Sequence, residues 1–281
     1  MMQKIQHRSR SRSWRVEGSA AITLIVSVAL ILTLYIATQQ GDANETWFYL
    51  VNDLSNQYLS PVFLAHLTDV GNGSIFATIV ILLCAKNPEL FKRLLFTVLI
   101  TALMSSLLKN YWDLPRPAAV LDLSSFDIIG AIVTKHSFPS GHTMTAFSVA
   151  GFIVLSIKHY PAQVAVIILA GMVGLSRIAV GAHWPEDVAA GAAFGLLSAY
   201  LAFCLSSAPF TPKASYITGC VLCVISALGI LFGPDDFPGI NSINYLRYAV
   251  AILSVGLALY FLSASRKADY SSKLSSFDDS L

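Results

Sequence analysis

The chain has few charged residues and few cysteines. Only 12% of its 281 residues are Asp, Glu, Lys or Arg, whereas 55% are hydrophobic, and the mean hydropathy is +0.65. A water-soluble surface requires more charge than this, so the composition excludes a soluble globular protein and predicts an integral membrane protein. The four cysteines all lie inside apolar runs, near predicted cytoplasmic ends, and no disulfide is expected.

The apolar runs are long enough to cross a membrane. A transmembrane helix needs about 20 predominantly apolar residues to span about 30 Å of hydrocarbon. The pattern predicts eight spans, of which the second and fourth are shorter than ideal: about 19–38, 71–85, 91–108, 142–157, 162–180, 187–206, 214–233 and 246–264. The first run is longer than the apolar part of a signal peptide, so an uncleaved helix is expected. We therefore expect an all-α, polytopic transmembrane helix bundle.

Lysine and arginine are distributed unevenly among the connections. With eight spans, the basic N-terminus (1–18) and the tail (266–281) share the Lys- and Arg-rich side, which the positive-inside rule assigns to the cytoplasm. On the opposite side, no Lys or Arg occurs between Gly41 and Asn72. The other cations predicted on that outer side are Lys109, Arg116, Lys135, Arg177 and Arg247. The arginine–serine alternation near the N-terminus is typical of a membrane anchor rather than of a nucleic-acid-binding arm.

Three short segments concentrate cations, two histidines and one carboxylate in this apolar sequence: 109–117 (KNYWDLPRP), 139–142 (PSGH) and 176–187 (SRIAVGAHWPED). Fixed lysine and arginine side chains neutralise a dianion, and a histidine four residues before an aspartate is an oriented nucleophile or base. This chemistry suits a phosphate ester. Because a divalent ion would be repelled by the three cations, which take its place, neither a metal nor another cofactor is expected.

Together the segments match the three-part signature K-x6-RP, PSGH and SR-x5-H-x3-D at every position. The chain thereby resembles the bacterial membrane branch of the type 2 phosphatidic acid phosphatase (PAP2) superfamily. The resemblance implies a six-helix catalytic core over about 19–206, with outer loops at 39–70 and 109–141. It is silent about two additional transmembrane helices in 207–265. It also implies a bacterial cytoplasmic membrane protein. The lysine and arginine asymmetry and the even number of spans predict that the site faces the periplasm or the cell exterior and that both termini lie in the cytoplasm.

The resemblance implies a role for each matched residue. His183 is expected to attack phosphorus and form a phosphohistidine, while Asp187 orients its ring. His142 is expected to protonate the leaving group and then to activate water. The expected phosphate-binding residues are Lys109, Arg116, Ser140, Gly141 and Arg177.

The implied reaction is hydrolysis of a lipid phosphate or diphosphate in the outer leaflet. Undecaprenyl diphosphate is the first choice, and phosphatidic acid, phosphatidylglycerophosphate and lipid A 1-phosphate remain candidates. A lipid phosphotransferase using the same phosphohistidine stays open as an alternative. A non-enzymatic lipid transporter is disfavoured because every signature residue is present. The expected partners are the lipid substrate and the bilayer, and the oligomeric state is left open.

Three further features give expectations for the outer face and for helix packing. An apolar stripe around Trp47 predicts a helix on the bilayer surface or a wall of the lipid entrance. The apolar segment 118–134 predicts either a lid over the site or a packed loop. Four glycines predict close helix contacts: Gly171, Gly174, Gly191 and Gly195.

Overall fold

A computed structural model describes residues 16–278 of the chain, so the arginines predicted to form a basic anchor in 1–15 lie outside the described residues. Within that range the protein is all-helical, with eleven α-helices and one short 3-10 helix, and the four cysteines are free. The α-helices are α1 (Gly18–Thr38), α2 (Ala43–Tyr58), α3 (Pro61–Val70), α4 (Gly73–Ala85), α5 (Phe91–Trp112), α6 (Pro117–Val120), α7 (Gly141–Val154), α8 (Tyr160–Ala179), α9 (Pro185–Leu205), α10 (Pro212–Phe232) and α11 (Asn241–Asp278).

Proline and a capping side chain define where several helices begin. Helices α3 and α10 each begin with proline, which lacks the N–H that a first turn cannot satisfy. The residue before each proline caps the helix: Ser60 Oγ accepts from the Phe63 N–H, and Thr211 Oγ1 accepts from the Ala214 N–H. Short polar breaks therefore end one helix and begin the next inside a largely apolar sequence.

The predicted fold class is confirmed, and each of the eight predicted spans is a helix. Six helices in the described range are long and apolar enough to cross a membrane, or seven if α3 and α4, bent by 59°, form one broken span. Two of the predicted spans are too short to cross a membrane by themselves. They are the second, α4, which follows that bend, and the fourth, α7, with 14 residues. Helix α11 passes the predicted end of its span near 264 and remains helical into the predicted tail, as far as Asp278.

Helix α7 lies at the centre of the bundle and packs against α8 and α9. Glycine on α9 permits the close approach, since a Cβ at Gly191 would lie 2.6 Å from the Ser140 carbonyl oxygen and one at Gly195 would meet the Met144 carbonyl oxygen. Gly174 of α8 faces the Thr143 side chain in the same way. The expectation for Gly171 is wrong, because it has open space around its Cβ position.

Helix α2 packs on the protein through one face. Phe48 is fully buried against Phe126 and Trp184, at ring-centroid distances of 5.2 Å to each. Trp47, one residue earlier, is 49% exposed. The apolar stripe predicted from the sequence is therefore divided, and its buried part holds segment 118–134 and the start of α9 in place.

Candidate active site

The three motifs meet at one end of the helix bundle, around a cavity of about 150 Å³. Each functional side chain stands at or beside a helix end: Lys109 in the last turn of α5, Arg116 before α6, His142 in the first turn of α7, Arg177 in the last turn of α8, and His183 just before α9. All five line the cavity. Residues up to 74 positions apart, from 109 to 183, thus form one cationic pocket.

His183 and Asp187 form a buried pair. His183 Nδ1 lies 3.2 Å from Asp187 Oδ2, and each side chain is 1% exposed. Burial, and then the positive charges of Arg116, Arg177 and Lys109, hold the pKa of His183 well below its usual range. A lowered pKa favours the neutral imidazole, and in the tautomer that donates from Nδ1 to Asp187 the lone pair lies on Nε2.

Asp187 is itself held in place by two further donors. The Ser137 hydroxyl donates to Asp187 Oδ2 at 2.5 Å, and the Trp184 N–H donates to the same oxygen at 2.9 Å. Asp187 does not line the cavity, which leaves His183 as the member of the pair that faces a ligand. Such a carboxylate sets the tautomer and orientation of the ring and stabilises it when it becomes cationic.

Backbone hydrogen bonds fix the turn that carries His183. The N–H groups of Ala182 and His183 donate to the Arg177 carbonyl oxygen at 3.0 and 3.2 Å. Arg116 Nη1 donates to the Ala182 carbonyl oxygen at 3.2 Å. Gly181 has φ +74, a conformation that glycine adopts without strain. The nucleophile candidate and two of the cations are therefore coupled through one short turn.

The cations differ in how they are anchored. Arg116 donates from Nε to the Lys135 carbonyl oxygen at 2.9 Å, so part of its guanidinium is committed to the loop. Arg177 is 7% exposed, and its Nε makes no hydrogen bond within the described part of the chain. Buried guanidinium donors without a protein partner suit an anionic ligand, because they bind phosphate oxygens in a fixed fork geometry.

Ser140 and Gly141 do not line the cavity, in contrast to the other predicted phosphate-binding residues. The Ser140 side chain is fully buried and accepts from the Thr143 hydroxyl at 2.9 Å, while its backbone N–H donates to the Asp187 carbonyl oxygen at 3.0 Å. Gly141 lies beside the Lys109 ammonium group. Their phosphate-binding roles stay predictions, and the geometry adds a contact between the second and third motifs.

Segment 118–134 forms a wall of the cavity. Ile129, Ile132 and Val133 line it, and the Ile129 N–H donates to the Val180 carbonyl oxygen at 3.2 Å. Asn52 of α2 bonds the segment from the other side, donating to the Asp127 carbonyl oxygen at 2.9 Å. The segment is thus packed and also covers the site.

Sequence reasoning missed two residues. Ser137 precedes the second motif without belonging to it, and Asp236, which lines the cavity, comes from the connection between α10 and α11. Their spacing in the sequence carried no signal of these contacts. The Lys135 side chain is exposed and is not among the cavity-lining residues, and Asp113 Oδ1 lies 3.0 Å from His136 Nδ1. Among the described residues, no group of three His, Cys, Asp or Glu side chains is arranged to hold a metal ion.

Comparisons with known proteins agree with this arrangement. The family profile described as "PAP2 superfamily" matches residues 90–210, which include α5 to α9 and all three motifs. A Bacillus licheniformis protein named "Bacitracin transport permease protein BcrC" is 33% identical over 185 residues, covering 63% of this chain and 85% of that protein. A "Lipid A 1-phosphatase" of Rhizobium johnstonii is 38% identical over 104 residues, covering 36% of this chain and 42% of that protein. The match thus spans less than half of that relative.

A solved structure shares the helical arrangement. The crystal structure of Aquifex aeolicus LpxE aligns with a TM-score of 0.51 and 26% identity, over 59% of this chain and 98% of that one. The fold is a bundle with at least six helices long and apolar enough to cross a membrane in the described range, and the site is a cationic cavity lined by two histidines. The chain belongs to the PAP2 superfamily, and the family predicted from the sequence is confirmed.

Proposed function

We propose that the protein hydrolyses the phosphate or diphosphate of a membrane lipid through a phosphohistidine on His183. The observation that carries this proposal is the buried His183–Asp187 pair, 3.2 Å apart, at a cavity lined by three cationic side chains. A neutral imidazole is the nucleophilic form, and the cations stabilise the charge that builds on the phosphoryl oxygens. The matched relatives named as lipid phosphatases support the same class of reaction.

The residues divide the reaction into two steps. His183 Nε2 forms a bond to phosphorus as the bond to the leaving oxygen breaks, and Lys109, Arg116 and Arg177 hold the other phosphoryl oxygens. His142 gives a proton to the leaving oxygen. Water then attacks the phosphohistidine, with His142 accepting its proton, and the released phosphate leaves the cavity.

A lipid substrate is supported by a second cavity beside the catalytic one. A groove of about 490 Å³ runs from Gly141 and His142 between α4, α5, α7 and α10, and its walls include Val98 and Leu222. This groove can take an acyl or prenyl chain while the phosphate lies among the cations. Chain burial contributes about 0.8 kcal/mol per CH₂, a gain that a soluble phosphate ester does not have.

The orientation and domain division predicted from the sequence belong to the same proposal. We assign the motif end of the bundle to the outer face, because lysine and arginine are concentrated on the opposite connections. Residues 19–206 form the catalytic core, and 207–265 add two helices. The first-choice substrate is undecaprenyl diphosphate, since three cations suit a diphosphate and an outer-face site suits recycling of a lipid carrier.

Purified protein should release phosphate from lipid substrates much faster than from a short-chain soluble ester in the same detergent. The panel contains undecaprenyl diphosphate, phosphatidic acid and lipid A, and initial rates are compared. A His183→Ala preparation, purified identically, controls for contaminating phosphatases. Equal rates on the soluble ester would contradict the lipid assignment. Transfer of labelled phosphoryl groups to a second lipid without free phosphate would favour the phosphotransferase.

Excess EDTA should leave this activity unchanged. The cavity places three cationic side chains where a metal-dependent phosphatase holds one or two metal ions, so charge stabilisation does not require a divalent ion. Phosphate release is measured before and after chelation, and again after Mg²⁺ or Zn²⁺ is added. Complete loss on chelation that a metal restores would refute the mechanism.

A further inference from the structure

The connection between α10 and α11, residues 233–240, closes the cavity on the side of His142. Asp236 and Phe237 line the cavity, and the Ala131 N–H donates to the Asp236 carbonyl oxygen at 2.8 Å. Phe237 is 1% exposed and packs with Ala65 and Ile243. This connection lies beyond residues 90–210, the range of the family match, yet it is a fixed part of the cavity wall.

Arg247 of α11 sets the position of Asp236. Its guanidinium binds Asp69 of α3, with Nη2 2.5 Å from Oδ1 and Nε 3.2 Å from both carboxylate oxygens. Arg247 Nη1 donates to the Pro234 carbonyl oxygen at 3.2 Å, and Nη2 lies 3.7 Å from Asp236 Oδ2. Arg247, one of the two predicted outer cations that lie outside the motifs, thus anchors the connection and faces the Asp236 carboxyl group.

The Asp236 carboxyl group also faces His142. Asp236 Oδ2 lies 3.9 Å from His142 Nε2, within ion-pair distance but beyond a direct hydrogen bond. His142 Nε2 makes no hydrogen bond within the described part of the chain. Asp187 is engaged with His183, Ser137 and Trp184, so Asp236 is the carboxyl group that pairs with His142.

A general acid at His142 has an electrostatic difficulty in this cavity. A proton on its imidazole adds a positive charge to the three cations of the cavity, Lys109, Arg116 and Arg177, and Arg247 of α11 is also near. Nearby like charges favour loss of that proton, and a facing carboxylate opposes this effect.

The charges around Asp236 are of both signs. Burial raises its pKa, Arg177 and Arg247 lower it, and Asp69 and Asp235 raise it. The net effect is a raised pKa, which brings the proton affinity of the Asp236 carboxyl group closer to that of an imidazole.

We propose that Asp236 is a positioning residue for His142. The Asp236 carboxyl group keeps a proton on the His142 imidazole for delivery to the leaving lipid oxygen. The inference rests on the proposed function. As the His183–phosphorus bond forms, the phosphorus–oxygen bond to the lipid breaks. The lipid oxygen keeps the electron pair and takes the proton from His142. The attacking water later returns a proton to His142, so the His142–Asp236 pair is restored after each turnover.

The test compares two substrates that carry the same diacylglycerol, phosphatidic acid and diacylglycerol diphosphate. The first expels an alkoxide and needs the proton, whereas the second expels a phosphate monoester, a far better leaving group. Asp236→Asn should lower kcat on phosphatidic acid at least tenfold, a part of the roughly 10²–10⁴-fold that a general acid contributes, and change kcat on the diphosphate less than threefold. The alkaline limb of the phosphatidic acid profile should move to lower pH.

Two variants separate this role from a structural one. Asp235→Asn removes the same charge from the same connection, where its carboxylate accepts from the Phe237 N–H at 3.1 Å, and should leave the ratio of the two rates unchanged. Asp236→Glu keeps the carboxyl group, so its ratio of the two rates should stay close to that of the wild type. Equal slowing of both substrates by Asp236→Asn, or no slowing of either, would overturn the inference. Wild-type protein inactive on both of these lipids and on undecaprenyl diphosphate would instead overturn the proposed function and the inference with it.

Discussion

Replacing His183 with alanine should abolish turnover of every lipid phosphate substrate. The variant has no imidazole to attack phosphorus, so no covalent intermediate forms, and neither the cations nor His142 supplies another nucleophile at that place. His183 is 1% exposed and its turn is fixed by backbone bonds to the Arg177 carbonyl oxygen, which the substitution leaves intact. Initial rates of phosphate release, together with trapping of acid-labile label on the protein, measure the effect.

The companion variant Asp187→Asn should retain a low residual activity. Its amide can donate to Nδ1 and so favour the wrong tautomer, which points an N–H rather than a lone pair at phosphorus. His159→Ala serves as the matched control, because His159 caps α8 at its N-terminus, far along that helix from Arg177. It should cost about 1 kcal/mol of helix stability without removing activity. A fully active His183→Ala protein would refute the nucleophile assignment.

Arg177→Ala should lower kcat/KM by about 10²–10³-fold, the effect of losing one preorganised donor worth about 3 kcal/mol. Arg177 lines the cavity, is 7% exposed, and has an Nε without a partner among the described residues. The substitution removes the guanidinium and leaves the carbonyl oxygen that holds the His183 turn. The Lys109→Ala substitution should lower kcat/KM by a comparable factor, because Lys109 lines the same cavity.

The matched controls for Arg177 separate charge from geometry. Arg177→Lys keeps the positive charge but loses the bidentate hydrogen bonding of the guanidinium. Its kcat/KM should therefore lie between the values of Arg177→Ala and the wild type. The Lys135→Ala variant removes an exposed cation whose side chain is not among the cavity-lining residues, and should remain near wild type. Arg177→Ala activity within twofold of wild type would show that this cation does not hold the phosphoryl group.

Local patterns were sufficient to predict the helices and most of the cavity. The lengths of the apolar runs predicted eight spans that are all helices, and the motif residues stand at helix ends that meet around one cavity. Helix α7 was harder to judge. It has 14 residues, and ten of its positions are buried by neighbouring helices, so its stability comes from packing that the length of its apolar run does not report.

The amino-acid sequence alone determined that this chain is a helical membrane protein with three cations, two histidines and one aspartate in a phosphatase signature, because hydropathy and motif spacing are local properties. Only the tertiary structure decided that Ser137 binds Asp187, that Phe48 fixes one side of the site, and that Asp236 faces His142. These contacts join residues 50 to 94 positions apart in the sequence and depend on how the helices pack. The Arg247–Asp69 pair joins α11 to α3 for the same reason, and that contact brings the α10–α11 connection to the cavity.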